Sequence, residues 1–449
     1  MKNNNLVRVL AICGSLIALG ANAAEEEPGG LDYTLRVGGA YSDNVVRSPS
    51  PLEEGAGSVA FGGELRGSRP TGRFKYDVGG EIMRYEYLDY YNGGETFGRG
   101  VASGSYDFSP EHFTWNGRID FDQFRADLFQ PLAPGNAQDV VTMSTGPSLR
   151  AQLFGALDSQ LDVVYERAYY EGNTVDSQTV GGDLELGRRR GPQSRYGLGA
   201  SFDDVSYMGG PLVGAVLDFQ RSEVFLYGHF AGARTQLSIE AGYTQAEGNT
   251  FDDDGPMGNL RLTRQMSPSL SAYLGYRHEI PTSQTAPNVS DPTVGGGGVA
   301  NNSVVTSSPR EAWRGEAGFI YVGPRSEGEI GFYHLDERSF IQALGDHTYD
   351  ELRARVTRRF TPNSYGMIYA AYSREEFTAF AQEFDELKAG AQYAHNLTRS
   401  TALEVRIEYR DRDGDTNDSS YSEFSGGLFL TYTGSVFGRT TSALPDVQP

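Results

Sequence analysis

The chain has almost no cysteine, few cations and no long apolar run beyond its first two dozen residues. Its single cysteine, Cys13, lies in the N-terminal apolar stretch. Loss of that stretch would leave a chain with neither disulfides nor thiolate metal sites. Lysine and arginine number 38 against 59 acidic residues, a formal net charge of −21. That sign repels phosphate and excludes nucleic acid as a partner. A polytopic helical membrane protein needs repeated runs of ~20 apolar residues. None follows residue 23, and only 38% of the chain is apolar. What is abundant is glycine (57), tyrosine (27) and phenylalanine (24). Aromatics at 12%, spread evenly, are too many for a solvated coil. A length of 449 residues suits two or three ordinary domains or one large sheet.

Residues 1–23 have the form of a secretory signal peptide. Lys2 and Arg8 give a basic start, an apolar core follows, and Ala21-Asn22-Ala23 offers small residues for cleavage. The stretch around Cys13 is a poor lipoprotein signal, because Ile12 is bulky where a small residue is wanted.

Beyond that point the dominant period is two. Phe74, Tyr76, Val78, Gly80 and Ile82 alternate with polar or small residues, as do Trp115, Gly117, Ile119 and Phe121. Leu403, Val405, Ile407 and Tyr409 enclose Glu404, Arg406 and Glu408. Each segment would be a strand with one apolar and one charged face. A soluble sandwich can show such a face to water, and a transmembrane barrel can turn it to a wet lumen.

The connections separate these. Short turns at Arg69-Pro70-Thr71-Gly72, Ser109-Pro110-Glu111, Gly191-Pro192-Gln193 and Thr361-Pro362-Asn363 alternate with longer polar links at 42–57, 127–139, 247–256 and 281–310. Alternating short and long links are what an outer-membrane barrel has, with periplasmic turns and external loops. The sequence thus predicts an all-β chain, an antiparallel transmembrane β-barrel of about 20 strands, with 18 as the alternative. A periplasmic segment, 24–30, would precede a barrel over 31–437, and a periplasmic tail, 438–449, would follow it. A barrel this wide needs a plug, infolded loops or a partner if it is not to leak. The location implied is the outer membrane of a Gram-negative bacterium.

The lumen-facing candidates are Lys75, Asp77, Arg118, Asp120, Asp162, Glu166, Asp183, Glu185, Arg353, Arg355, Lys388, Glu404, Arg406 and Glu408. Their mixed signs argue against strong ion selectivity. Gly427, Leu430 and Tyr432 fit the pattern that the barrel-assembly machinery reads on a last strand, although 17 residues follow Tyr432.

Near the outer end of the first segment stands Tyr41-Ser42-Asp43-Asn44-Val45-Val46-Arg47. Here the chain resembles the outer-membrane β-barrel porins associated with bacterial exopolysaccharide gene clusters, which commonly run from a first strand into Tyr-x-Asp-Asn-apolar-x-Arg. The resemblance implies a porin-like conduit for export of polysaccharide (exopolysaccharide or capsule), with Asp43, Asn44 and Arg47 as the family-like residues. The plainer reading is that Asp43 and Asn44 only turn the chain. Expected partners are outer-membrane lipid, lipopolysaccharide, the assembly machinery and, for export, polysaccharide and periplasmic components. No cofactor is required.

Other chemistries are weaker. Asp252, Asp253 and Asp254 before Gly255, and Asp411, Asp413, Asp415 and Asp418 around Gly414, suggest acidic outer loops, but their spacing is not that of a calcium loop. His278 beside Glu279 and His334 beside Asp336 could form acid–base pairs at an outer rim, yet no serine stands in a nucleophile elbow. The expectation is therefore not an enzyme. Tyr41, Tyr85, Tyr87, Tyr207 and Tyr276 suit aromatic girdles. Gly295–298 would make a flexible loop, or one folded into the pore. The rival readings are diffusion of hydrophilic solutes, a structural or adhesive barrel with a blocked lumen, and a rim-sited hydrolase.

Overall fold

Strands whose side chains alternate in polarity can enclose one face by closing on themselves, and here they close. The computed structural model describes residues 30–436 except 89–93, 126–128, 132, 134, 155–156, 172–175, 192, 209–217, 282–309, 341–345 and 416–418. The first ten strands are β1 (Gly30–Ser42), β2 (Ala56–Arg69), β3 (Phe74–Tyr87), β4 (Gly94–Ser109), β5 (Phe113–Arg125), β6 (Ala137–Leu153), β7 (Leu157–Tyr170), β8 (Asp176–Arg189), β9 (Ser194–Met208) and β10 (Phe219–Ala231). The second ten are β11 (Thr235–Gly248), β12 (Asp252–Ser267), β13 (Leu270–Glu279), β14 (Arg310–Val322), β15 (Ser326–Ser339), β16 (His347–Thr361), β17 (Ser364–Phe377), β18 (Gln382–Asn396), β19 (Thr401–Gly414) and β20 (Tyr421–Ser435). Each pairs antiparallel with its neighbours in sequence, and β20 pairs with β1 from Asp32↔Ser435 to Ser42↔Ser425, so the 20-stranded sheet has no edge. Closure matters because an unpaired edge in lipid leaves backbone groups unsatisfied at several kcal/mol each.

The segments that alternate least cleanly, 96–108 and 213–230, still supply β4 and β10. The count is 20 rather than 18. The four short turns named above, and the other five connections from an even strand to the next odd one, are all short. One predicted long link is absent. Residues 247–256 are not a loop, because only 249–251 separate β11 from β12, closed by Gly248 N–H donating to the Phe251 carbonyl at 2.9 Å. Asp252 to Asp254 and Pro256 are strand residues paired to β11. Proline is tolerated there because the ladder to β13 stops at Gly258, so β12 has lost that neighbour at Pro256. Asp411 and Asp413 likewise belong to β19. The signal peptide, the glycine run at 295–298 and the tail from 437 lie outside the described residues.

No helix among the described residues is long and apolar enough to cross a membrane. The apolar faces point outward instead. Leu35 and Val37 on β1, Val405 and Ile407 on β19, and Leu428 and Leu430 on β20 are all more than 40% exposed. This belt meets lipid, not water. A purified, detergent-held sample should therefore run at different positions on a gel before and after boiling, with a sheet-dominated circular dichroism spectrum. A helical spectrum would contradict this fold.

Candidate functional site

Strand parity sets the lumen. Residues directly opposite each other in an antiparallel pair share a face, so the outward row Val37, Phe61, Arg84 fixes its alternates as inward. By the same registers, all the charged lumen candidates lie on the inward face. They are cross-linked into ladders. Lys75 meets Asp107 at 2.8 Å, and Arg118 meets Asp120 at 2.6 Å. Asp162 accepts from Gln160, and Glu185 pairs with Arg195. Arg353 reaches Glu329 at 3.3 Å and Arg355 reaches Glu327 at 3.4 Å. Lys388 lies 3.9 Å from Glu408, and Glu404 pairs with Arg406. Asp77 faces the same interior from β3, Glu166 from β7 and Asp183 from β8.

The wall is not uniform. The arc of β7 to β9 carries Asp158, Asp162, Glu166, Asp183, Glu185 and Asp203 against few cations of its own, chiefly Arg189 and Arg195. The arc of β14 to β16 balances Arg310, Arg314, Arg353 and Arg355 with glutamates. Beside the acidic arc, toward the short-turn end, lies a cavity of about 770 Å³ lined by Lys75, Asp77, Ser103, Asn116, Arg118 and Asp162. Its lining of small hydroxyls and opposed charges suits a hydrated, uncharged solute.

The long-link end is narrower, and the narrowing comes from a segment the sequence did not mark. Seven strands separate β17 from β5 around the seam, yet Arg125 Nη2 lies 2.5 Å from Glu375 Oε1. Phe129 lies on the same side of the mouth as Glu375. Phe129 packs edge-on against Phe377 and Phe380, at 5.5 and 4.9 Å between centroids. Its carbonyl accepts from Arg412 at 3.5 Å. Gly135 N–H returns the segment to Glu95 on β4 at 3.2 Å. Thus Phe129 and Gly135 link β17–β19 to β4 across the mouth.

Arg125 is also one end of a buried chain of charge. His347 lies 3.1 Å from Glu375 and 3.4 Å from Glu337, and Arg310 closes the row on Glu337 at 3.1 Å. Next to this row, at the ends of β9 to β13, Val205, Tyr207, Phe219, Ala246 and Ile280 form an apolar cluster, with Phe251 and Phe340 packed on it. Tyr207, Tyr85 and Tyr87 point inward and so do not belong to the lipid girdle. Their strands place them on the parity opposite to Tyr41 and Tyr276, which do face out. Sequence spacing missed this because tyrosine is as stable over a lumen as at an interface.

The family-like residues close the seam. Asp43 Oδ1 accepts from Phe424 N–H at 2.7 Å, and Asn44, 1% exposed, donates to the carbonyls of Ser48 and Ser422 at 2.8 and 2.9 Å. Arg47, held at a left-handed φ of 55°, donates to Glu423 at 2.8 Å. The motif does more than turn the chain: it staples the first link onto the last strand. On that strand Leu430 and Tyr432 face outward, while Gly427 faces inward beneath the Phe429 ring.

Neither proposed histidine–acid pair forms. Neighbours on a strand face opposite ways, so His278 cannot reach Glu279. It bonds Glu311 at 2.7 Å instead, and His334 bonds Asp350 rather than Asp336, also at 2.7 Å. His229 stands 3.0 Å from Ser238 Oγ, without a carboxylate to orient it among the described residues. No cluster among those residues is arranged to hold a metal ion. The strand geometry spreads the carboxylates of Asp252 to Asp254 over both faces.

No family model matches the chain, and no curated protein does. Among solved structures it is similar to the FrpB iron transporter of Neisseria meningitidis, at 9% identity over 90% of this chain and 81% of that one, with a TM-score of 0.41. It is also similar to the ferric enterobactin receptor PfeA of Pseudomonas aeruginosa, at 11% identity over 92% and 81%, with a TM-score of 0.46. OccAB2 of Acinetobacter baumannii gives 10% identity over 91% and 98%, with a TM-score of 0.36. At these values the likeness is one of barrel form.

Proposed function

We propose that the protein is a passive outer-membrane conduit for hydrophilic solutes, narrowed at its outer mouth by the contacts of Arg125, Phe129 and Gly135. The observation that carries this reading is the charged, cross-paired inward face enclosed by a closed apolar exterior. Such a wall exchanges hydrogen bonds with a hydrated solute without holding it, and the closed sheet excludes lipid. Within that class the solute we favour is a polysaccharide in export, on the strength of the Asp43-Asn44…Arg47 resemblance. Deleting the protein should then lower extracellular polysaccharide without loss of viability. Unchanged polysaccharide would leave the conduit and remove this cargo. The reading assigns no catalytic step, and places the signal-peptide-bearing precursor on the secretory route to the outer membrane.

Selectivity gives a separate test. Replacing both Arg353 and Arg355 with Glu removes two cations from an arc that keeps Glu327, Glu329 and Glu351. In planar bilayers the reversal potential should move towards cation selectivity. An unmoved potential would take these arginines out of the conducting path.

A second reading has an observation of its own. The cross-lumen contact Arg125–Glu375 and the apolar cluster around Phe219 favour a barrel sealed at one end, used as a structural or adhesive surface element. Absence of conductance in every variant would select it.

A further inference from the structure

We propose that the outside of the barrel carries a groove for an anionic acyl glycolipid of the outer leaflet, lipid A, with one acyl chain across β3–β7 and a phosphate on Arg167. The outward rows of these strands differ from the rest of the belt. One row runs Tyr76, Gly104, Gly117, Thr145, Tyr165, and the next runs Val78, Ala102, Ile119, Met143, Arg167. Gly104, Ala102, Gly117 and Thr145 therefore form a floor of small residues between taller aromatic walls. The resulting groove has a volume of about 510 Å³. From β3 to β7 is four inter-strand spacings, ~19 Å, close to the length of an extended fatty acyl chain.

One end of the groove is charged. Arg167 lies three residues from the long-link end of β7 and lines the groove. Its guanidinium sits 4.6 Å over the Tyr169 ring, its Nε has no hydrogen-bond partner, and no carboxylate pairs with it among the described residues. An arginine on a lipid-facing surface is unfavourable unless an anion or water meets it. Its planar fork fits phosphate in particular. The charge also chooses the leaflet. An inner-leaflet phospholipid would bring its headgroup to the opposite end, beside Phe74 and Trp115, where the one cation of the lining, Arg118, faces the lumen and is paired with Asp120.

Trp115 lines the groove, and the only other tryptophan is Trp313. A Trp313→Phe variant of the full chain in detergent thus reports on the groove alone. Titration with lipid A should shift its emission saturably, and native mass spectrometry should show the lipid retained. Arg167→Gln should weaken binding about tenfold, the loss of one charge-assisted contact. The pair Gly104→Leu and Gly117→Leu should abolish it. Added Cβ atoms there approach neighbours no closer than 3.7 and 3.9 Å, so the filled barrel should still fold and remain heat-modifiable. Three results would overturn the proposal: equal binding of dephosphorylated lipid A or phosphatidylglycerol, saturable binding by the filled variant, or self-association of the protein through this face in place of lipid.

Discussion

Replacing Leu430 with Arg is expected to destabilise the barrel by about 2–4 kcal/mol and to deplete it from outer-membrane fractions. The residue is 44% exposed and sits outward on β20, opposite Val37 of β1 and Leu403 of β19. It lies in the closing seam, where the last strand must find the first. A guanidinium there faces hydrocarbon with no carboxylate opposite it, and the side chain is too far from either strand end to reach water freely. Tyr432→Asp, opposite Leu35, should act in the same direction but less strongly, because it lies nearer the strand end. Removing residues 437–449 should leave the amount of assembled protein unchanged, since the ladder to β1 is complete at Ser435. Urea unfolding in detergent and quantitative blotting of membrane fractions measure both effects. If the tail deletion abolishes assembly while Leu430→Arg is tolerated, the seam is misplaced.

The other large effect is at the mouth. Arg125→Ala should raise single-channel conductance severalfold with the barrel's gel shift unchanged. Arg125 and Glu375 are both almost fully buried, and Glu375 shares its oxygen with His347. Removing one member of a buried pair costs about 3–5 kcal/mol, because the other is left uncompensated. Here Glu375 on β17 keeps its contact with His347 and the sheet's ladders do not involve the Arg125 side chain, so the barrel should persist while the tie across the mouth is lost. Phe129 should then lose its place against Phe377 and Phe380. Phe129→Ala removes the ring contacts to Phe377 and Phe380 and should act in the same direction with a smaller rise. A conductance equal to the unmodified protein in both variants would show that this segment does not limit flow.

Much of the barrel was legible because strand alternation and turn chemistry are local. Prolines and glycines at 70–72, 110, 191–192 and 362 mark turns that the chain makes within a few residues, and the outward rows follow by parity. What stayed hidden depends on registers between strands. The acid next to His278 in sequence points to the opposite face, Asp336 shares a face with His334 but lies one position along it, and the partners they do meet, Glu311 and Asp350, come from the next strand. Asp252 to Pro256 looked like a loop because acid, glycine and proline disfavour strands. It is strand because β11 offers the pairing and the far side of Pro256 has no neighbour to disappoint. The tie from Arg125 across the mouth could not be read at all, since its partner, Glu375, lies 250 residues away. Asp43, Asn44 and Arg47 were visible as a motif, but their work on Glu423 and Phe424 needed the closed ring.

The central claim is that the lumen passes hydrated solutes and that its outer mouth sets the limit. Liposome swelling tests it most directly, with vesicles carrying either the unmodified protein or a variant in which both Arg125 and Phe129 are Ala. The account predicts measurable uptake of a small neutral sugar through the unmodified protein. It also predicts that larger oligosaccharides enter only through the variant. Vesicles that admit no sugar with either protein would contradict it.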